Sequence, residues 1–271
     1  MNILNEIVAK RKIQIAEQKE LYPTKLLERS IYFNSQPLSL KKYILRPDLS
    51  GVIAEFKRKS PSKGIINEFA KPDEVCLRYM QAGASALSVL TESMFFGGSA
   101  MDLTIARKFN FCPILRKDFI VDEYQIIEAK SIGADAILLI AEILTKKQLA
   151  NFASLTKSLG MQVLFEIHDR QSISKLPSDA EIIGINSRNL KNFNVSTEHL
   201  GLLIQFLPKH LVKVAESGID TPESLLELKS MGFDGFLIGE RFMREANPGK
   251  ACAQFISKFK ELTLSLTITG L

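Results

Sequence analysis

Three features of the amino-acid sequence predict a single closed (β/α)8 barrel of the TIM type with an N-terminal helical extension. The chain has 271 residues, about the length that one such barrel occupies. From residue 51 onward a short apolar run, a turn and an amphipathic segment recur every 20 to 35 residues or so, the rhythm of βα units. The apolar runs are nearly uninterrupted Val, Ile, Leu and Ala, which suits parallel strands covered on both faces rather than a sheet with one side in water. No Gly-x-Gly-x-x-Gly turn occurs, which argues against a doubly wound open sheet.

The elements follow in order. From Asn2 to about Tyr22, Ile3, Leu4, Ile7, Val8, Ile13 and Ile15 alternate with charges at helical spacing, and a second apolar-and-basic stretch covers Leu38 to Leu45. Residues 1–48 therefore form an extension packed on the barrel, either as a simple lid over one mouth or as part of the binding site. The barrel spans 49–260. Its strands are Gly51–Phe56, Ala86–Leu90, Pro113–Leu115, Ala136–Ile140, Gln162–Glu166, Ile182–Asn186, Val212–Glu216 and Gly235–Ile238. Helices are expected over Pro72–Gln81, Ala100–Lys108, Asp122–Ser131, Thr145–Leu159, Thr197–Leu207, Pro222–Met231 and Pro248–Phe259, with Pro72, Pro222 and Pro248 at first-turn positions. The remaining tail, 261–271, alternates Leu262-Thr263-Leu264-Ser265-Leu266-Thr267-Ile268-Thr269. That period predicts a strand, either paired with another chain or laid on the barrel, with a frayed terminus as the alternative.

Composition narrows the function classes. With 46% hydrophobic and 24% charged residues the chain suits a globular fold with ample core. No apolar run nears the roughly 18 residues of a membrane span, and the N-terminus lacks the features of a signal peptide, so a cytoplasmic protein without a membrane partner is expected. Cys76, Cys112 and Cys252 are far apart, lack metal-like spacing and sit in apolar segments, as buried thiols would. Thirty-five basic residues face thirty acidic ones, scattered and without interleaved aromatics. An anionic small molecule fits this distribution better than nucleic acid.

The chemistry concentrates where strands end, the face on which barrels place their active sites. In Val52-Ile53-Ala54-Glu55-Phe56-Lys57, strand alternation puts Glu55 and Lys57 on one face. Arg116-Lys117-Asp118 follows strand three, Glu166 ends strand five, Asn186 and Arg188 mark strand six, Glu216-Ser217-Gly218 strand seven, and Gly239-Glu240 strand eight. Gly218 and Gly239 lie in the two loops that most often hold phosphate in barrels. Arg58, Lys59, Asp118 and Asp169 read as solvated surface charges, and His168 as a rim residue.

These residues carry a resemblance. The chain resembles the indole-3-glycerol phosphate synthase family over about residues 1 to 260, on Ile-Ala-Glu-Phe-Lys-Arg-Lys-Ser-Pro-Ser-Lys-Gly, Ser-Val-Leu-Thr-Glu, Phe-Phe-Gly-Gly-Ser, Leu-Arg-Lys-Asp-Phe-Ile, Gly-Ile-Asn-Ser-Arg-Asn-Leu and Val-Ala-Glu-Ser-Gly-Ile. The resemblance implies one barrel with an N-terminal extension, no cofactor and no metal. It implies closure of 1-(2-carboxyphenylamino)-1-deoxyribulose 5-phosphate to indole-3-glycerol phosphate, with release of carbon dioxide and water. Carried across by motif, Lys117 becomes the general acid and Glu166 the general base, with Glu55 and Lys57 in support. Asn186, Glu216 and Ser217 match further catalytic positions. Arg188, Ser60, Gly218, Gly239 and Glu240 match substrate-binding ones, and Phe96, Phe119, Leu138 and Leu190 the apolar wall. Glu240-Arg241-Phe242-Met243 departs from the small residues and Leu usual before that Met. On this reading Lys57 beside Lys117 would lower a lysine pKa toward neutrality. A phosphorylated substrate and a monomer or weak homodimer are expected. The rivals are another phosphosugar barrel, such as phosphoribosylanthranilate isomerase, and a basic nucleic-acid-binding protein.

Overall fold

Alternation along each strand sorts its side chains into two cores, and that sorting builds the barrel seen in the computed structural model, which describes residues 3–188 and 197–269. The eight parallel strands are β1 (Val52–Phe56), β2 (Ala86–Leu90), β3 (Ile114–Lys117), β4 (Ala136–Ile140), β5 (Gln162–Ile167), β6 (Ile182–Asn186), β7 (Val212–Glu216) and β8 (Gly235–Ile238). They pair in sequence order, and β1 closes the ring by pairing with both β2 and β8. Outward residues such as Val52, Ala54, Phe56, Leu87 and Val89 meet the surrounding helices in one core. Inward residues such as Ile53, Leu115, Leu138, Leu164 and Val214 fill the barrel as a second.

At the top of the barrel the apolar filling gives way to charge. The inward positions that follow Ile53, Leu115, Leu164 and Val214 on the alternate strands β1, β3, β5 and β7 are Glu55, Lys117, Glu166 and Glu216. Two helices of the extension close the two ends. Helix Leu40–Ile44 lies below, where Leu40 and Ile44 join the inner core and the Lys41 N–H donates to Gln162 at the start of β5. Helix Ile3–Leu21 lies across the top, with Leu4 and Ile7 packed into the same core alongside Phe95, Phe96 and Phe119. This helix is tied down by Arg11, which reaches Asp118 just beyond β3 with two charged hydrogen bonds of 3.1 and 2.6 Å.

Two sequence expectations are corrected. β3 runs to Lys117 instead of ending at Leu115, because both of its charged residues have partners: Arg116 points outward onto Glu128 and Asp118, and Lys117 inward onto the carboxylates. The alternating tail is not a strand, since the last helix runs unbroken from Pro248 to Thr269. Thr263 and Ser265 donate their hydroxyls to the carbonyls of Phe259 and Glu261 one turn back, so β-prone residues are accommodated in the helix. All three cysteines are free and buried, as expected, and burial pushes their thiols up, those of Cys112 and Cys252 to about 12. No helix among the described residues is long and apolar enough to cross a membrane.

Candidate active site

Lys117 is the hub. Its ammonium, rising from the end of β3, donates to Glu166 Oε2 of β5 at 2.8 Å and to Glu216 Oε2 of β7 at 3.1 Å. Just beyond β1, Lys57 pairs with Glu55 of that strand at 2.8 Å. Close approach across the barrel depends on glycines in the neighbouring strands. A Cβ on Gly184 of β6 would stand 2.0 Å from Glu216 Oε1, and one on Gly239 after β8 would stand 2.6 Å from Glu55 Oε1. Gly184 was not among the residues singled out from the sequence, although its place in the Gly-Ile-Asn motif, two residues before Asn186, was a signal.

The electrostatics correct the sequence reading of the lysine. Burial pulls the Lys117 ammonium down, but Glu166, Glu216 and Glu55 outweigh it and hold its pKa above the ordinary lysine value, so it is not lowered toward neutrality. Its proton is firmly held in the free protein and suits an acceptor that becomes a strong base, such as a developing alkoxide. The two carboxyls beside it diverge. Burial alone would raise Glu166, but Lys117, the His168 ring and the Asn186 side chain hold it well below the carboxylate range, so it is ionised. Burial and the neighbouring Glu166 charge raise Glu216, even with Lys117 at hand. The environments of the two carboxyls thus push them in opposite directions, the separation that assigns base and acid roles in paired sites.

Around this hub a pocket is lined by Glu55, Lys57, Ser60, Phe96, Lys117, Phe119, Leu138, Glu166, Asn186, Arg188, Glu216, Ser217 and Glu240. An adjoining opening reaches Gly218 and Gly239. Every site residue expected from the sequence therefore meets at one mouth except Leu190, which lies outside the described residues. One side of the cavity is apolar: the Phe96 and Phe119 rings stand 5.8 Å apart, with Leu138 buried beneath. Phe96 is held there by Glu92, whose buried carboxylate accepts the N–H groups of Met94, Phe95 and Phe96. Glu92 ends the Ser-Val-Leu-Thr-Glu motif but carried no assigned role in the sequence.

The other side is cationic and backbone-rich. Arg188 donates from Nη1 to Ser62 Oγ at 2.9 Å and lies 3.4 Å from the Glu240 carboxylate, which Lys63 also approaches at 3.7 Å. Ser60, buried in the same loop, accepts the Lys63 N–H. Ser217 and Gly218 both adopt positive φ, 69° and 71°. A non-glycine residue is strained there, while Gly218 and Gly239 carry no side chain to hinder an anion approaching their backbone N–H groups.

Two charges read as solvated surface are instead tied into the fold, one buried and one half-buried. Asp118 is fully buried and accepts from Arg11, Thr91, Arg116 and its neighbour's Phe119 N–H. Arg58 forms a two-pronged pair with Asp102. Asp169 matches its solvated reading and caps the short helix Arg170–Ile173. His168 is no rim residue: its side chain is only 9% exposed, behind Glu166. Among the described residues no group of three or more His, Cys, Asp or Glu is placed to hold a metal ion.

Comparison with known proteins agrees with this geometry. Residues 4–255 match the family model described as indole-3-glycerol phosphate synthase. A protein of that name from Bacteroides thetaiotaomicron is 44% identical over 255 residues, covering 94% of this chain and 98% of its own. Another from Campylobacter fetus subsp. fetus is 45% identical over 244 residues, covering 90% and 95%. Among solved structures, the tryptophan synthase alpha subunit of Legionella pneumophila superposes with a TM-score of 0.59 at 12% identity, covering 83% of this chain and 98% of its own, a likeness of fold alone. With a family match over nearly the whole chain and relatives at this identity, the chain belongs to the indole-3-glycerol phosphate synthase family.

Proposed function

We propose that Lys117 is the general acid and Glu166 the general base of the ring-closing decarboxylation that defines this family. In that reaction 1-(2-carboxyphenylamino)-1-deoxyribulose 5-phosphate becomes indole-3-glycerol phosphate, carbon dioxide and water, a carbon–carbon lyase step of tryptophan biosynthesis. The observation that carries the assignment is the 2.8 Å pair of Lys117 and Glu166, set between an apolar wall and an anion-suited loop.

The aromatic ring lies against Phe96, Phe119 and Leu138, and the phosphate takes the backbone N–H groups around Gly218 and Gly239. This places the ketone near Lys117. As the ring carbon bearing the carboxylate attacks the ketone, charge develops on its oxygen and Lys117 delivers a proton. Breaking the carboxylate bond returns an electron pair to the ring. Loss of the new hydroxyl as water needs a second proton, for which Lys57 lines the same pocket as Lys117, and Glu166 removes a proton from the carbon beside nitrogen to complete the indole. Arg188 orients an anionic group through its forked donors, with Ser60 and Ser62 holding the loop that meets it. Asn186 steadies Glu166, and Glu216 and Ser217 shape the floor. The reaction draws on side chains alone, in a cytoplasmic monomer or weak homodimer.

Single-turnover kinetics test the assignment, with product followed by indole fluorescence. Lys117→Met should slow the chemical step by roughly 10²–10⁴ with affinity near wild type, and Glu166→Gln should impair the last proton removal. An unchanged chemical step in Lys117→Met would overturn it.

A further inference from the structure

The reaction does not balance within the site. With the substrate as a carboxylate, the ketone oxygen leaves as water and so takes up two protons. One is recovered when the carbon beside nitrogen loses its hydrogen. Carbon dioxide departs without a proton, so each turnover consumes one from solvent. Yet Lys117 and Glu166 lie on the cavity floor, their side chains 14% and 2% exposed, where bound substrate covers them.

A line of titratable groups leads to this pair from behind. Glu166 bonds Lys117 through Oε2, and its other oxygen, Oε1, lies 3.4 Å from Nε2 of His168. His168 is not among the residues that line the cavity. Its Nδ1 lies 3.8 Å from Oε2 of Glu142, whose side chain is 21% exposed. The His168 side chain is nine-tenths buried, and both ring nitrogens are buried without a hydrogen-bond partner. A ring so placed forgoes hydrogen bonds at both ends unless something passes between them. Packing alone does not require an imidazole there.

We propose that Glu142 and His168 form a proton relay that recharges Lys117 from solvent through Glu166. The proposal rests on the acid and base roles assigned above. Glu142 takes a proton from water and hands it to Nδ1 of His168. The ring releases its Nε2 proton to Oε1 of Glu166, and Glu166 gives a proton from Oε2 to the Lys117 amine. Each step breaks one bond to hydrogen and forms another, and the chain ends with a charged lysine, an ionised Glu166 and a neutral ring. Lys117 is recharged in this way before Glu166 takes the carbon-bound proton. That proton then leaves along the same groups in reverse, which restores the starting tautomer of the ring. Lys57, its side chain 16% exposed, regains its proton from solvent at the cavity mouth, so one proton is taken up in total.

The test uses the full chain, with steady-state kinetics in light and heavy water. His168→Asn should lower kcat by about tenfold or more, leave KM within about twofold, and raise the solvent isotope effect on kcat. In His168→Gly, added imidazole should restore part of the lost rate, and Glu142→Gln should show a smaller loss that concentrated buffer relieves. A His168→Asn enzyme with wild-type kcat and isotope effect would sink the relay. A loss of kcat with no change in isotope effect and no rescue would also sink it, since packing alone would then account for the residue. Wild-type protein that forms no indole product would instead indict the underlying reading.

Discussion

Replacing Arg11 by Met removes one end of the tie between the top helix and the barrel while keeping most of the side chain's bulk. Five hydrogen bonds converge on the Asp118 carboxylate among the described residues, and Arg11 supplies two of them, at 3.1 and 2.6 Å. Both ends are buried, so the loss is not screened by water as it would be at the surface. Truncating one partner of a buried pair costs about 3–5 kcal/mol, and the lower figure applies because Thr91, Arg116 and the Phe119 N–H still serve Asp118. For a chain of this size about 3 kcal/mol corresponds to a melting point lower by roughly 6–12 °C, read by calorimetry or circular dichroism. The neighbouring Lys10, whose 3.7 Å contact with Glu6 is exposed, is the control, and Lys10→Met should leave the melting point unchanged. Adding Asp118→Asn to Arg11→Met should recover part of the loss, since the uncompensated charge goes with it. An Arg11→Met protein that melts within about 2 °C of wild type would refute the view that this pair anchors the helix.

Further outcomes follow from the site. Gly184→Ala should displace Glu216 and cut activity sharply while the barrel still folds; a crystal structure showing Glu216 unmoved would count against the close-approach argument. Burial raises the folded-state pKa of Glu216 above its unfolded value, so its contribution to stability is complete below the ordinary carboxylate range and fades as pH climbs above it. Glu216→Gln cannot ionise, and its melting point should fall less than that of wild type on raising pH through neutrality; parallel curves would contradict the shift. Lys57→Met should accumulate a ring-closed, still hydroxylated intermediate if it protonates the departing hydroxyl, whereas loss of affinity alone would mark it as a binding contact. Dialysis against a chelator should leave activity intact, and restoration by a divalent ion after loss would show that the side-chain chemistry is incomplete.

Local pattern carried far in this chain, and its failures share a cause. Strand alternation alone places Glu55 with Lys57, and the recurring βα units bring Lys117, Glu166 and Glu216 to one mouth. What escaped depended on partners distant along the chain. Asp118 reads as a surface charge beside Lys117, because the arginine that buries it is 107 residues away. Arg58 is the same case, with Asp102 44 residues on. The Lys117 pKa was misjudged because the sequence shows a second lysine on a nearby strand end but not the three carboxylates that the closed ring gathers round it. Gly184 has no visible purpose until β6 lies beside β7 and Glu216 folds across it. The tail misled for a local reason: alternation of Leu with Thr and Ser has a strand's period, and the hydroxyls that keep it helical bond within their own turn.

The helix that plugs the bottom of the barrel has a consequence for biosynthesis of the chain itself. Leu40 and Ile44 are made long before the far part of their seat, which includes Gln162 and Gly235, near the start of β5 and β8. At about 5–20 residues per second, the ribosome needs roughly 10–40 s to travel from Ile44 to Gly235. β1 waits as long for β8, the neighbour that closes the ring. Both apolar segments therefore stay unsatisfied through most of translation, and ring closure with docking of the plug must be a late, long-range step whose loop-closure entropy is met only when the last strand arrives.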